Sequence, residues 1–380
     1  MDFYCYAITA PGLWPFTAQE MESLGVPPVN LPTVSGSGFD IPADPGGLDF
    51  RADLAALYRL NLRLRTPGRI LVRLGNFFYA RTFDELRQSA ARLAWERFIH
   101  PGQPVEIRAT CHKSKLYHSG AVVERIGRAI EARLGQPSPE QKGAQRILAR
   151  LVDDRLTVSI DSSGENLHKR GYRLETAKAP LRESLAAALL IACGWDGSAP
   201  LLDPFCGSGT IPIEAALLAL NIAPGLNRRF AFMDWPNFDE AAWQAVQAEA
   251  RAAQRTAAPP ILASDRDEGA IRIALANAER AGVAEHIGFT RQALSAIQPP
   301  GQPGWVITNP PYGARVSANK DLRNLYAQLG NVLRAQCPGW GVGILSSDRA
   351  LLGQTGLMLE TSIRLLNGGL PVILARGRVE

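Results

Sequence analysis

At 380 residues the chain is longer than one hydrophobic core usually supports and suits two or three domains. Its 46% apolar and 20% charged residues supply a buried core and exclude a disordered or low-complexity chain. The longest charge-free apolar run, LAAALLIAC at 185–193, falls far short of the ~20 residues that cross a bilayer. The opening MDFYCYAITAPG has no basic stretch ahead of an apolar one, so no membrane and no secretory signal are expected, and the cytoplasm is the expected compartment.

Five cysteines, Cys5, Cys111, Cys193, Cys206 and Cys337, are scattered without a CxxC pair, which speaks for reduced thiols and against a disulfide framework or a zinc site. The net charge of +5 is unevenly placed. Residues 1–50 carry six acids and no Lys or Arg, whereas residues 51–133 carry sixteen Lys or Arg against seven acids. That stretch suits either a polyanionic partner or an arginine-rich solvated helical surface.

In chain order, the pattern predicts a helix over 17–24, an extended run over 69–78, a helix over 82–98, a strand over 105–110, a helix over 119–134 and a strand over 156–161. The first third therefore reads as a small α+β domain or a pair of them. GQPSPEQKG at 135–143 marks a surface loop, and SSGENLHKRG at 162–171 a better domain boundary. Next come a helix over 178–193, a short strand at 201–203, a glycine turn and a helix over 209–220. After a Trp- and Pro-bearing insertion follow a strand at 261–264, a helix over 268–281, strands at 287–290 and 305–308, a helix over 321–335 and a strand at 341–346. Strands separated by helices imply a parallel sheet covered on both faces. Runs 358–366 and 370–375, joined by Asn367-Gly368-Gly369, imply a closing antiparallel hairpin, because Asn-Gly readily supplies the positive φ that both central residues need. A doubly wound α/β sheet finished by a C-terminal antiparallel hairpin resembles the class I methyltransferase architecture.

Three motifs carry chemistry. Leu202-Asp203-Pro204-Phe205-Cys206-Gly207-Ser208-Gly209-Thr210 runs from an apolar strand through a glycine turn into a helix, which points backbone N–H groups at a ligand beyond the strand end. The third glycine of a dinucleotide fingerprint is absent, since Pro212 stands there, and no Walker lysine occurs. Asp265 ends the second apolar run, where an acid can accept both hydroxyls of a ribose or cap the following helix; Asp267 is better placed for the cap. The 62 positions from Asp203 to Asp265 exceed the ~20 of a simple dinucleotide unit, and the excess is segment 221–256. Thr308-Asn309-Pro310-Pro311-Tyr312-Gly313 closes the fourth strand: the prolines hold a rigid turn, Asn309 Oδ1 and the Pro310 carbonyl are acceptors suited to an amino group, and Tyr312 can stack on a base.

Together these residues resemble the S-adenosylmethionine-dependent methyltransferases that modify exocyclic amino groups. More narrowly, His168-Lys169-Arg170-Gly171-Tyr172-Arg173, Ala179-Pro180-Leu181-Arg182-Glu183, Ile222-Ala223-Pro224-Gly225 and Asp234-Trp235 resemble the bacterial THUMP-domain 23S ribosomal RNA guanine-N2 methyltransferases. Ala10-Pro11-Gly12-Leu13 and Cys111-His112-Lys113-Ser114-Lys115-Leu116-Tyr117-His118 extend the likeness towards the N-terminus.

The resemblance implies a ferredoxin-like α+β subdomain over 1–65, a THUMP RNA-binding domain over 66–165 and a methyltransferase domain over 166–380. It implies that Asp203, Phe205, Gly207, Ser208, Gly209 and Thr210 line the methionine part of the cofactor, Asp265 holds the ribose and Arg266 flanks the adenine. Gln292 stands near where the family usually has an acid for the adenine amino group; the chain reads Thr290-Arg291-Gln292-Ala293-Leu294. Asn309, Pro310, Pro311 and Tyr312 would hold the target base, with Asn309 also beside the cofactor. Lys113, Lys115, Arg125, Arg128, Lys169 and Arg170 would hold RNA backbone, which gives affinity without sequence information. The partner implied is 23S rRNA or a precursor ribosomal particle. Other readings are tRNA guanine-N2 methylation, adenine-N6 or protein-glutamine methylation, and an RNA-binding factor with an inactive methyltransferase fold. His112, His118 and His168 lack carboxylate or cysteine companions at ligand spacing, so no metal is expected.

Overall fold

The computed structural model describes residues 2–29, 46–138, 143–173, 181–312 and 322–380. Asp40, Asp44, loop residues 139–142, Ala179, Pro180, the expected helix start at 178–180, Gly313 and the first residue of the helix expected at 321 lie outside them.

The first half builds one seven-stranded sheet. Its elements are β1 (Phe3–Ile8), α1 (Trp14–Ser23), β2 (Gly47–Ala52), α2 (Leu54–Arg63), β3 (Arg69–Arg73), β4 (Phe78–Tyr79), α3 (Phe83–Ala91), β5 (Val105–His112), α4 (Ser119–Leu134), β6 (Gln145–Val152) and β7 (Arg155–Asp161). The strand order is β2-β1-β3-β7-β6-β5, with β4 on β7; only β5 and β6 run parallel. Helix starts follow local chemistry. Asp53 Oδ1 accepts from Ala56 N at 2.8 Å to start α2, and Thr82 with Glu85 forms a capping box for α3. The helix expected over 82–98 breaks after Ala91, and a 3-10 turn at Trp95–Arg97 buries Trp95, whose Nε1 donates to the Ala90 carbonyl at 2.8 Å.

The second half is an α/β unit. It contains α5 (Glu183–Cys193), β8 (Leu201–Asp203), α6 (Thr210–Ala219), α7 (Glu240–Ala252), β9 (Ile261–Asp265), α8 (Glu268–Ala281), β10 (Ile287–Arg291), β11 (Trp305–Thr308), α9 (Leu322–Gln336), β12 (Gly341–Ser346), α10 (Arg349–Gln354), β13 (Leu359–Asn367) and β14 (Leu370–Arg378). Strand order is β10-β9-β8-β11-β12-β14-β13. The first five are parallel, and β14 inserts antiparallel between β12 and β13. The order reverses between β8 and β11, so their C-terminal ends open the crevice where α/β sheets bind ligands. The closing hairpin forms as expected with one difference. Its two central residues are Gly368 and Gly369, at φ 58° and 86°, while Asn367 is the last paired residue of β13.

Segment 221–256 joins the halves. Phe230, Phe232, Trp235 and Trp243 belong to the buried cluster of the first half, alongside Tyr58, Phe98 and Ile147. The Tyr58 and Phe232 rings stack at 4.4 Å, and Trp235 Nε1 donates to Gln145 Oε1 at 2.9 Å. Gly225 is required by close approach: a Cβ there would lie 2.7 Å from Phe230 and 2.9 Å from the Leu62 carbonyl. Arg65 crosses the same seam, donating to the carbonyls of Leu217 at 3.1 Å and Ile222 at 2.7 Å.

Candidate active site

The turn after β8 begins with Asp203, which is 1% exposed. Its Oδ1 accepts from Thr308 Oγ1 at 2.6 Å and Phe205 N at 3.2 Å, so the end of β11 is tied to the end of β8. Its Oδ2 is buried without a hydrogen-bond partner among the described residues. Burial, and then the nearby Asp265, push the Asp203 carboxyl up to about 7, with the Thr308 and Phe205 bonds opposing. Gly207 and Gly209 take φ values of 52° and 82°, in the left-handed region that favours glycine. A Cβ on Gly207 would meet nothing, so the turn is open on that side, whereas one on Gly209 would sit 3.0 Å from Ala274 Cβ of α8. Asn277 Nδ2 fixes the turn from behind by donating to the Ser208 carbonyl at 3.0 Å. Arg173 donates to Thr210 Oγ1 at 3.2 Å and pairs with Glu183 at 3.3 Å, which ties it to the starts of α6 and α5.

Asp265 meets the same turn. Its Oδ2 accepts from Gly207 N at 3.1 Å and its Oδ1 from Asp267 N at 3.0 Å, while its carbonyl accepts from Gln292 N at 3.1 Å. The helix cap is Asp267, as expected, with Oδ1 accepting from Gly269 N at 2.8 Å and Ala270 N at 3.4 Å. Asp265 is left half-buried at the strand end, next to an exposed Arg266 and a half-buried Gln292. The ends of β8, β9, β10 and β11 thus bring Asp203, Gly207, Asp265 and Gln292 to one edge of the sheet.

At the end of β11, Asn309 Oδ1 is buried without a hydrogen-bond partner among the described residues. Pro310 is buried, and the Pro311 carbonyl accepts from Tyr326 Oη at 3.3 Å. Tyr312 Oη accepts from Asn367 Nδ2 at 3.0 Å, so the last residue of β13 orients the ring. The sequence motifs did not single out Tyr326 or Asn277, and they named Asn367 for the hairpin turn and Arg173 for the family likeness without these roles, which depend on contacts distant in the chain.

No thiol in this region is set up as a nucleophile. Cys206 is 6% exposed, and burial followed by the Asp203 and Asp265 carboxylates raises its thiol well above the ordinary range. Burial also raises Cys337, to about 11.

The cations expected to meet RNA differ in situation. Lys113 and Lys115 are exposed, and Arg128 is exposed and paired with Glu124. Arg125 is half-buried, its guanidinium 5.6 Å above the Phe83 ring. Lys169 is exposed and pairs with Glu165 at 2.5 Å. Arg170 departs from the expected role. It is 4% exposed, donates to the Leu167 and Arg65 carbonyls, and lies 3.5 Å from Glu214, so it braces the seam between the halves. A separate cavity of about 330 Å³, lined by Arg170, Tyr172, Leu217, Arg251 and Arg280, lies towards the C-terminal ends of α6 and α8. Those ends are remote from the glycine turn. Among the described residues no helix is long and apolar enough to cross a membrane, and no group of three or more His, Cys, Asp or Glu could hold a metal ion.

A family model described as an RMKL-like methyltransferase domain matches residues 170–371. The chain belongs to this methyltransferase family. A THUMP domain model matches residues 80–161, and an RlmL ferredoxin-like domain model matches residues 4–71. A protein of Synechocystis sp., named provisionally as an RNA methyltransferase, is 34% identical, with 98% of this chain and 95% of that one covered. The Ribosomal RNA large subunit methyltransferase K/L of Methylococcus capsulatus is 36% identical over 97% of this chain and 50% of its own length. The chain spans about half the length of such K/L relatives. Among solved structures, SMU.472, named provisionally as a methyltransferase and crystallised with S-adenosylhomocysteine (SAH), superposes with a TM-score of 0.88 at 31% identity, covering 100% of this chain and 98% of that one.

The cofactor of this family is S-adenosylmethionine, and the residues at the sheet edge fit it. The open face of Gly207 leaves room for a ligand, the orphaned Asp203 Oδ2 suits an ammonium group, and Asp265 is a strand-end carboxylate of the kind that accepts from ribose hydroxyls.

Proposed function

We propose that the chain methylates the exocyclic N2 amino group of a guanine in 23S ribosomal RNA. The observation that carries the reading is the buried Asn309 Oδ1, without a hydrogen-bond partner among the described residues, at the end of β11, beside the strand end that bears Asp203 and the glycine turn. An orphaned buried acceptor is costly until a donor arrives, and an amino group is a donor that a bare ring nitrogen is not. The large-subunit name of the K/L relatives supports rRNA over other polymers. Guanine is favoured by the resemblance of the motifs in 168–235.

The division of labour follows from the residues. S-adenosylmethionine supplies an electrophilic methyl group on a sulfonium. Asp203, Phe205, Gly207, Ser208, Gly209, Thr210 and Asn309 line its methionine part, Asp265 its ribose, and Arg266 and Gln292 its adenine. Asn309 Oδ1 and the Pro310 carbonyl accept from the guanine amino group, which draws its delocalised lone pair out of the ring. Pro311 keeps the turn rigid, and Tyr312, oriented by Asn367, stacks on the extruded base. Rate enhancement comes from in-line positioning and preorganised acceptors, without a covalent enzyme intermediate. Residues 1–65, 66–165 and 166–380 act as the ferredoxin-like, RNA-holding and methyl-transferring parts, with Lys113, Lys115, Arg125, Arg128 and Lys169 on RNA backbone. The setting is the cytoplasm, on rRNA or a precursor particle.

Mass spectrometry of nucleosides from 23S rRNA and tRNA of a strain lacking the protein tests this reading. Loss of N2-methylguanosine from rRNA is expected. Loss from tRNA alone transfers the activity to that substrate, and loss from neither overturns the proposal.

A further inference from the structure

The β6–β7 turn places Asp153 and Asp154 in left-handed conformations, at φ 50° and 63°. Asp154 fastens two other segments to this turn. On one side Ser114 Oγ accepts from its backbone N at 3.0 Å and its Oδ1 accepts from Lys115 N at 2.7 Å. On the other its carbonyl accepts from Ala80 N at 2.9 Å and its Oδ2 lies 3.5 Å from Arg81 Nε. Segments 77–81 and 112–118 therefore flank one turn at one end of the first sheet.

Together they carry every exposed large aromatic side chain among the described residues: Phe77 at 51%, Tyr79 at 50% and Tyr117 at 71% exposure. Each has a basic neighbour. Arg155 lies 5.2 Å from the Phe77 ring centre and 5.7 Å from that of Tyr79, Arg81 lies 5.8 Å from Tyr79, and the His118 ring is 4.2 Å from Tyr117. Lys113 and Lys115 are exposed beside them, and the acids at this surface are Asp153, Asp154 and Glu85, whose Oε2 accepts from Arg81 N at 2.7 Å. Four full cations against three acids still leave a small excess of positive charge. A single exposed aromatic needs no explanation, but a cluster on one turn marks an interaction site. Rings interleaved with guanidinium and ammonium groups match a strand whose bases and phosphates alternate, and a duplex keeps its base faces stacked out of reach.

The geometry points to a stacking platform for unpaired RNA bases on Phe77, Tyr79 and Tyr117, with Arg81, Arg155, Lys113 and Lys115 on the intervening phosphates. It rests on the RNA reading above and adds the strand state the substrate must offer at this end.

Fluorescence anisotropy with the full chain tests it, using a labelled unpaired RNA octamer and a blunt RNA duplex. The double variant F77A/Y79A and the variant Y117A should each lose about tenfold or more in affinity for the octamer. Duplex affinity should change less than twofold, and SAH affinity by calorimetry should not change. F77L/Y79L, which keeps apolar surface without π faces, should lose octamer affinity as well. Variants that bind the octamer as the parent does, or that lose octamer and duplex equally, overturn the platform alone. A parent that binds neither RNA overturns the RNA reading and the platform with it, and a parent that instead takes a ribosomal protein on these rings makes the surface a protein interface.

Discussion

Burial holds the Asp203 carboxyl near neutrality, at about 7, which makes its charge a function of working pH. An acid whose proton is held more tightly in the folded chain contributes stability that is complete below its ordinary range, near pH 4, and is lost as pH rises to and through about 7. On the proposed assignment, in which the cofactor's ammonium would pair with the ionised carboxylate, cofactor binding should run the other way. SAH affinity measured by calorimetry is expected to rise about tenfold from pH 6 to pH 8, and Asp203→Asn should flatten that profile. A parent protein with a flat profile would remove Asp203 from the ammonium site. Asn309 makes a complementary prediction. Asn309→Ala should lower methyl transfer by about 100-fold or more while RNA affinity stays within a few-fold of the parent. Undiminished transfer by this variant would refute its assigned role.

At the scale of elements, the parallel strands and their glycine turn were readable because each is a short apolar run ending in a chemically distinctive residue. The strands at 201–203, 305–308 and 341–346 and the helices at 119–134 and 268–281 have the expected bounds. Other elements were not read. β1 alternates Phe3, Cys5 and Ala7 inward with residues of intermediate exposure between them, which leaves little polar contrast. β6 alternates more clearly, but it follows a loop whose prolines and glycines dominated the local pattern. The helix α7 did carry a signal inside the insertion: Asp239 caps it, accepting from Ala242 N at 3.0 Å, and Trp243, Val246 and Ala250 recur on one face. Its apolar face made sense only once α2 of the first half and the Phe230 and Phe232 rings were there to cover it. The same holds for Arg170, whose HKRGYR context suggested a nucleic-acid contact, while its burial depends on carbonyls at Arg65 and Leu167. In the site, strand-end motifs marked Asp203, Asp265 and Asn309, whereas the contacts of Asn277 and Asn367 act across 69 and 55 positions of chain, and the Asn-Gly signal at Asn367 spoke only of the hairpin. Gly225 offers an element-scale test. Gly225→Ala should destabilise the chain by about 1–3 kcal/mol in denaturant melts, because the added methyl meets the Leu62 backbone and the Phe230 ring.

For the whole molecule, the aromatic insertion makes the two sheets one cooperative body. Calorimetric unfolding should show a single transition, and Trp235→Ala should lower stability by about 3–5 kcal/mol through a cavity beneath Phe98 and the loss of the bond to Gln145. Two resolved transitions in the parent chain would show that the halves melt separately. Arg65→Ala should also lower stability, by about 1–3 kcal/mol, since it would leave the Leu217 and Ile222 carbonyls without the buried guanidinium that donates to both.

The wedge of Phe230, Phe232, Trp235 and Trp243 also has a metric consequence. Should that wedge keep the Asp154 end and the Asn309 end from pivoting, the molecule would work as a caliper on the proposed reading. An RNA gripped at the far jaw would bring to the near jaw whichever nucleotide lies at a set span, so inserting one nucleotide between grip and target would shift the mark to its neighbour.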